Sequence, residues 1–328
     1  MPTSNRRSKL ADYQLSLVWG AWVQLGVSGW QKTHGDWAVD PEPLIIATAA
    51  LEDEDPRLRD EALDWCIQHW RYVSRVQLKN LLREQPRDVR EAWGPFAATV
   101  SHHAGVTWPQ ATEEFEYQTT GKSVLDSMEQ PSRGWLRLRG MFGLGARTEI
   151  LRFFLSGHRR ATVARIAEQA RYAKRVVADE CDALEKSGVL RAQQVSNRFY
   201  YALNRADALK KFVGDVAPIR PDWTALFRVT STLVALERSA GQLPNEALMV
   251  EAHRVAKMLE DDLDALYIED PPELGQPDNY WPSVRDFAER YMGAWARGEW
   301  APEEEEVVEM KPRRVVRRPV TSAGARKE

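Results

Sequence analysis

The stretch from Thr148 to Ala206 changes its apolar period partway along, and that change restricts the fold more than any other feature of the chain. Ile150 to Leu155 is an apolar helical segment stopped at Gly157. Thr162 can cap a second helix through its hydroxyl. Val163, Ile166, Ala167 and Ala170 then follow the i, i+3, i+4, i+7 spacing of a helix about two turns long. After Arg171-Tyr172 a third pattern runs through Ala173, Val176, Val177, Cys181 and Leu184 to Gly188, a natural left-handed position past a helix end. Beyond it the period drops to two. Val189 to Val195 and Arg198 to Leu203 read as strands joined by Ser196-Asn197, a pair suited to a tight hairpin, with Phe199, Tyr201 and Leu203 alternating onto one face.

Helix, short helix, longer helix and hairpin is the order of a winged helix-turn-helix, whose third helix enters the major groove. The run TVARIAEQARYAKRVVADECDALEKSGVL, followed by a basic-tipped hairpin and YYAL, resembles the winged-helix DNA-binding domain of MarR- and ArsR-type bacterial transcription regulators over about residues 147–205. The resemblance implies a recognition helix from Ala173 to Ser187, a wing from Gln193 to Arg198, and double-stranded DNA as partner. The cysteine motif of metal-sensing ArsR repressors is missing, so metal sensing is not implied and no cofactor is expected. A looser resemblance, spread over the whole chain and tied to no motif, is to antitoxin-like winged-helix proteins of abortive-infection systems. It implies a rival reading, a defence or toxin–antitoxin subunit that grips a protein partner.

Charge separates the two readings. The formal net charge is −3, yet residues 147–205 carry twelve Lys or Arg against six Asp or Glu, a local +6 that leaves −9 for the remainder. Arg159, Arg160, Arg165, Arg171, Lys174, Arg175, Arg191 and Arg198 fall around the turn, the start of the third helix and the wing, where phosphates pass. Thr162, Tyr172 and Asn197 complete the predicted DNA-binding set, with Tyr172, Lys174 and Arg175 placed to reach base edges and Arg198 at the wing tip. Asp179, Glu180, Asp182 and Glu185 on the later turns of that helix limit the approach to its first turns.

The expected fold is mainly α, and 328 residues suffice for more than one domain. Residues 1–82 read as a helical N-terminal domain. Leu10, Tyr13, Leu17, Val18, Trp22 and Leu25 form one stripe, Gly26 and Gly29 stop that helix, and further helices follow at about 43–51, 56–70 and 76–82. Trp19, Trp22, Trp65 and Trp70 supply core area there. Residues 83–140, richer in Pro, Gly and Thr, read as a linker with short helices, and 141–215 as the winged helix. In 216–300 three helices carry the stripes Leu226/Val229/Leu233/Leu236, Leu248 to Leu266, and Val284/Phe287/Tyr291/Trp295, which could pack on each other or on a second copy in a homodimer. Residues 301–328, acidic then basic, read as a disordered tail whose Arg313, Arg314, Arg317 and Arg318 either attract phosphates or solvate against the glutamates.

Other chemistry leaves no local pattern. Cys66 and Cys181 cannot build a thiolate metal module, adjacent His102 and His103 point apart, and Glu260, Asp261, Asp262 and Asp264 read as a solvated helix face. There is no P-loop, nucleophile elbow or HExxH pair, so a non-enzymatic protein is expected, the remaining enzymatic reading being a dispersed site among His34, Asp36, His102 and His103. Without an eighteen-residue apolar run or a secretory h-region, a cytoplasmic protein with no membrane association is expected.

Overall fold

The structure is a computed structural model that describes residues 7–29, 37–52, 54–214, 221–269, 271–272 and 277–299. Its first helix, α1 (Lys9–Gln24), starts where the Ser8 hydroxyl accepts from the Ala11 N–H at 3.3 Å and stops at Gly26, whose φ is 98°. Helix α2 (Pro41–Ala49) is apolar nearly all round and is buried as such. Asp55 caps α3 (Pro56–His69) and Ser74 caps α4 (Arg75–Glu84), each accepting from a backbone N–H three residues on.

Residues 83–140 depart from the linker reading. Helix α5 (Arg87–Ala104) runs eighteen residues and buries Trp93, Phe96, Ala97 and Val100 in the main core despite Pro95 in its interior. The irregular chain after it is held by side chains rather than by secondary structure. Trp93 stacks on Trp108 at 5.6 Å and donates its indole N–H to the Pro109 carbonyl at 2.7 Å. A Cβ at Gly94 would meet Thr112 Oγ1 at 2.5 Å, which is why the helix carries glycine there. Buried Asp64 accepts from the backbone N–H groups of Thr120, Gly121 and Ser123 at 3.0, 2.7 and 2.9 Å, satisfying three donors of a segment that has no ladder of its own.

Helix α6 (Gly134–Phe142) then leads through Gly143 and Gly145 into α7 (Ala146–Leu155), α8 (Val163–Ala170), α9 (Lys174–Lys186), strands β1 (Leu190–Val195) and β2 (Arg198–Leu203), and α10 (Ala206–Val213). The chain ends, as described, with α11 (Trp223–Ala240), α12 (Asn245–Ala265) and α13 (Pro277–Ala296).

Two apolar clusters organise these elements. The larger runs from Leu10 and Trp22 through Ile45, Trp65 and Trp93 to Trp223, Leu233, Leu259 and Trp295. The N-terminal and C-terminal regions, read from the sequence as separate, thus share one core, with α13 and α11 packed on α1 and α11 also on α2. The C-terminal stripes are filled within the chain. Trp223 donates to the Ala38 carbonyl at 2.8 Å and Gln14 to Ser231 Oγ at 2.8 Å, fixing the two halves in register.

The second cluster belongs to the winged helix: Ile150, Leu151, Phe153, Phe154, Ile166, Ala167, Val177, Cys181, Leu184, Leu190 and Tyr201 enclose a core of their own. Leu184 is 5% exposed, on the inward face of α9, and Gly188 after it has φ 77°. The strands pair antiparallel from Leu190 opposite Leu203 to Val195 opposite Arg198, closed by Ser196-Asn197 with Ser196 at φ 50°. Ala161 adds a bridge to Tyr201 through N–H···O bonds of 3.0 and 2.8 Å, a third edge the sequence does not announce. Among the described residues no helix is long and apolar enough to cross a membrane, and the tail from 301 lies outside them.

Candidate nucleic-acid interface

The predicted contacts divide into an outward set and an inward one. Thr162 spends its hydroxyl on its own helix, accepting from the Arg165 N–H at 3.4 Å, and so directs the start of α8. Arg159 just before it is exposed, and Arg160 lies over the Tyr200 ring at 5.3 Å, stiffened against the wing. On α9 the residues Val177, Cys181 and Leu184 turn inward, which leaves Lys174, Arg175 and Val176 of the first turn exposed. Arg191, Asn197 and Arg198 are exposed on the wing. Among the described residues Arg159, Lys174, Arg175, Arg191 and Arg198 make no ion pair, so their charge is unspent.

The acidic residues of α9 are largely engaged at home. Glu180 pairs with Arg147 at 2.9 Å, and Asp182 accepts from the Tyr201 hydroxyl at 2.7 Å. Burial, reinforced by that bond and by the Asp182 charge, raises the Tyr201 pKa, so its proton stays on the bond. Asp179 remains exposed.

Arg171 and Tyr172 face the body instead of standing with the outward cations. Arg171 sits in the left-handed region at φ 54°, its carbonyl accepting from Asn80 Nδ2 at 3.0 Å and its guanidinium lying 3.3 Å from Glu84 and 3.9 Å from Asp222. The Tyr172 hydroxyl is 3.5 Å from Ser74 Oγ, and burial raises its pKa. Gln77 Nε2 reaches the Ala170 carbonyl at 3.5 Å. The turn between α8 and α9 is therefore docked along α4, with partners some ninety residues earlier that local spacing cannot reveal.

A buried charge cluster completes the docking. Arg139 of α6 donates to both Glu42 oxygens, at 2.8 and 3.0 Å, to Glu149 Oε1 of α7, at 3.0 and 3.2 Å, and to the Tyr72 carbonyl at 2.8 Å. Arg152 pairs with Glu149 at 2.5 Å, lies 3.6 Å from Asp40 and sits over the Trp135 ring at 4.2 Å. Three carboxylates thus face two guanidinium groups, all but Asp40 almost wholly shielded from solvent. Burial raises the pKa of Glu42 to about 8, Asp40 pushing the same way and Arg139 pulling against it. Burial works against the Arg139 charge too, but Glu42 and Glu149 outweigh it and raise its pKa.

The other candidates are placed as follows. His102 pairs with Glu114 at 3.0 Å while His103 meets Tyr117 edge-on at 5.6 Å, and His34 and Asp36 lie outside the described residues. Asp262, expected on a solvated face, is buried and bonded to Arg228 at 3.2 Å, whereas Glu260, Asp261 and Asp264 are exposed. Both cysteines are buried, which raises the thiol of Cys66 well above its ordinary value and that of Cys181 to about 12. Compared with known protein families, with curated proteins and with solved structures, the chain matches none.

Proposed function

We propose that the chain is a DNA-binding transcriptional regulator that engages double-stranded DNA through its winged helix and is not an enzyme. The observation that carries this reading is the uncompensated first turn of α9, where Lys174 and Arg175 are exposed and unpaired while Glu180 and Asp182 further along are held by Arg147 and Tyr201. A major groove admits such a turn, Lys or Arg can address guanine O6 and N7, and exposed Val176 suits a thymine methyl. Arg159, Arg191 and Arg198 would take phosphates, and Arg198 or Asn197 could reach the minor groove beside the wing.

A second reading rests on a different observation. Val176, Val195 and Phe199 are 44%, 41% and 44% exposed on the same helix and wing, and apolar groups there also suit a protein partner. Fluorescence anisotropy of a labelled random-sequence duplex, titrated with the full chain at several salt concentrations, separates the two. The DNA reading expects binding at low salt that weakens steeply as salt rises. Absence of binding to any duplex at low salt refutes it.

A further inference from the structure

Helix α4 was read from the sequence only as a short piece of the N-terminal core, yet it carries Arg75, Lys79 and Arg83 at i, i+4 and i+8, all exposed. That spacing lays three cations along one stripe of the helix surface. Glu84, the only acid in α4, points elsewhere: it lies 3.3 Å from Arg171 and 4.0 Å from Arg228. The stripe is thus uncompensated on its own helix, in a body whose charge outside residues 147–205 is −9. A cationic stripe against the sign of its surroundings, on a helix bonded to the turn between α8 and α9, is not what general solvation of an acidic body would place there.

Position adds to charge. The turn leading into α9 is bonded to α4 through Ser74, Gln77, Asn80 and Glu84, and Arg83 Nη1 lies 3.5 Å from the oxygen of Asn80, whose amide nitrogen donates to the Arg171 carbonyl. Buried Arg139, paired with both Glu42 and Glu149, ties the same body to α7. The stripe and the recognition turn are therefore carried by segments that are bonded to each other, with Arg83 nearest the junction.

We propose that Arg75, Lys79 and Arg83 form a second phosphate-binding surface, which extends the contact with duplex DNA beyond the winged helix to the backbone flanking the groove that α9 enters. The inference rests on the DNA reading above. These contacts are sequence-independent: they anchor and orient the chain while α9 reads. Arg87, which pairs with Glu91 at 2.7 Å, is not part of the set.

The test compares the full-length chain with the triple variant Arg75→Ala, Lys79→Ala, Arg83→Ala and with a charge-keeping variant, Arg75→Lys, Lys79→Arg, Arg83→Lys, on a long random-sequence duplex. Far-UV circular dichroism and Tm check that all three fold alike. Each phosphate contact contributes about 0.9 to the slope of log K against log salt, so three lost contacts should flatten it by about 2.7 and make the affinity gap about 40-fold larger at 50 mM than at 200 mM salt. The charge-keeping variant should follow the wild type. A triple variant with wild-type affinity and slope, or a charge-keeping variant that loses as much as the alanine one, overturns this proposal alone. A wild-type chain that binds no duplex overturns the DNA reading, and this one with it.

Discussion

Replacing Arg139 by methionine keeps a long unbranched side chain and removes the charge on which the docking of the winged helix turns. Five hydrogen bonds disappear, two to Glu42, two to Glu149 and one to the Tyr72 carbonyl. Glu149 keeps Arg152, but Glu42, with a side chain 0% exposed, keeps no cation within reach. With its carboxyls ionised, the set Asp40, Glu42, Glu149, Arg139 and Arg152 goes from one excess negative charge to two. Removing one partner of a buried pair costs about 3–5 kcal/mol, because the remaining charge is stranded in a poorly polarisable site. Arg139→Met combined with Glu42→Gln restores the original excess and should recover most of that loss. The measurement is urea unfolding at several pH values above 8, followed by tryptophan fluorescence and far-UV circular dichroism. Losing Arg139, which pulls the Glu42 pKa down, raises it further in the variant, so the full cost develops only as that group ionises. Residues 146–214 contain no tryptophan, so fluorescence reports the body while dichroism reports both parts. A single variant that loses less than about 0.5 kcal/mol, the range of surface changes, would refute the reasoning. A double variant no more stable than the single one would do so too.

Leu184→Ala should cost the winged helix about 2–5 kcal/mol, since the side chain is 5% exposed in the core that it shares with Ile150, Phe153, Phe154 and Leu190; an unchanged dichroism transition would show that the site collapses without loss. Lys174→Ala or Arg175→Ala should lose about 1–3 kcal/mol on a selected high-affinity site while nonspecific affinity persists. Arg198→Ala should instead weaken all duplexes alike and reduce the salt slope by about one, and the reverse pattern would make the wing the reader. Glu42, with its pKa raised from 4.5 to about 8, holds in the folded state a proton that the unfolded chain releases. Its contribution is therefore full below about pH 4.5 and lost as pH rises towards 8, so Glu42→Gln should flatten the fall in urea midpoint across that window, and an unaltered profile would place the titration elsewhere.

Local chemistry made most elements legible. Thr162 marks a helix start that the structure uses as a side-chain cap and the Ser196-Asn197 pair marks the hairpin, while Ser8, Asp55, Ser74 and Asp222 cap helices legible from their apolar stripes alone. Helix α5 was misread because Gly94 and Pro95 interrupt its apolar pattern, while Trp93, Phe96 and Val100 are buried by partners distant in sequence. The stripe from Val284 to Trp295 marks only the later turns of α13, which begins at Pro277 and carries Pro282 in its interior. The exposed part of the candidate interface was visible as charge. Arg171 and Tyr172 were not distinguishable from it, because what turns them inward is Ser74, Asn80 and Glu84, and pairing across that separation has no period. The cluster around Arg139 is opaque for the same reason.

The shared core of α1–α6 with α11–α13 has a consequence for synthesis of the chain. A ribosome makes the first six helices, then the complete winged helix, and only afterwards the three helices against which α1 and α2 bury their apolar faces. The winged helix, with its own core and mostly local contacts, can fold as soon as it emerges, whereas the N-terminal helices must wait with exposed tryptophans for partners some two hundred residues downstream. Protease treatment of stalled chains ending near residue 214 should release a protected winged helix and digest the segment before it. The winged helix would thus be finished while the body that carries it still lacks the helices that complete its core.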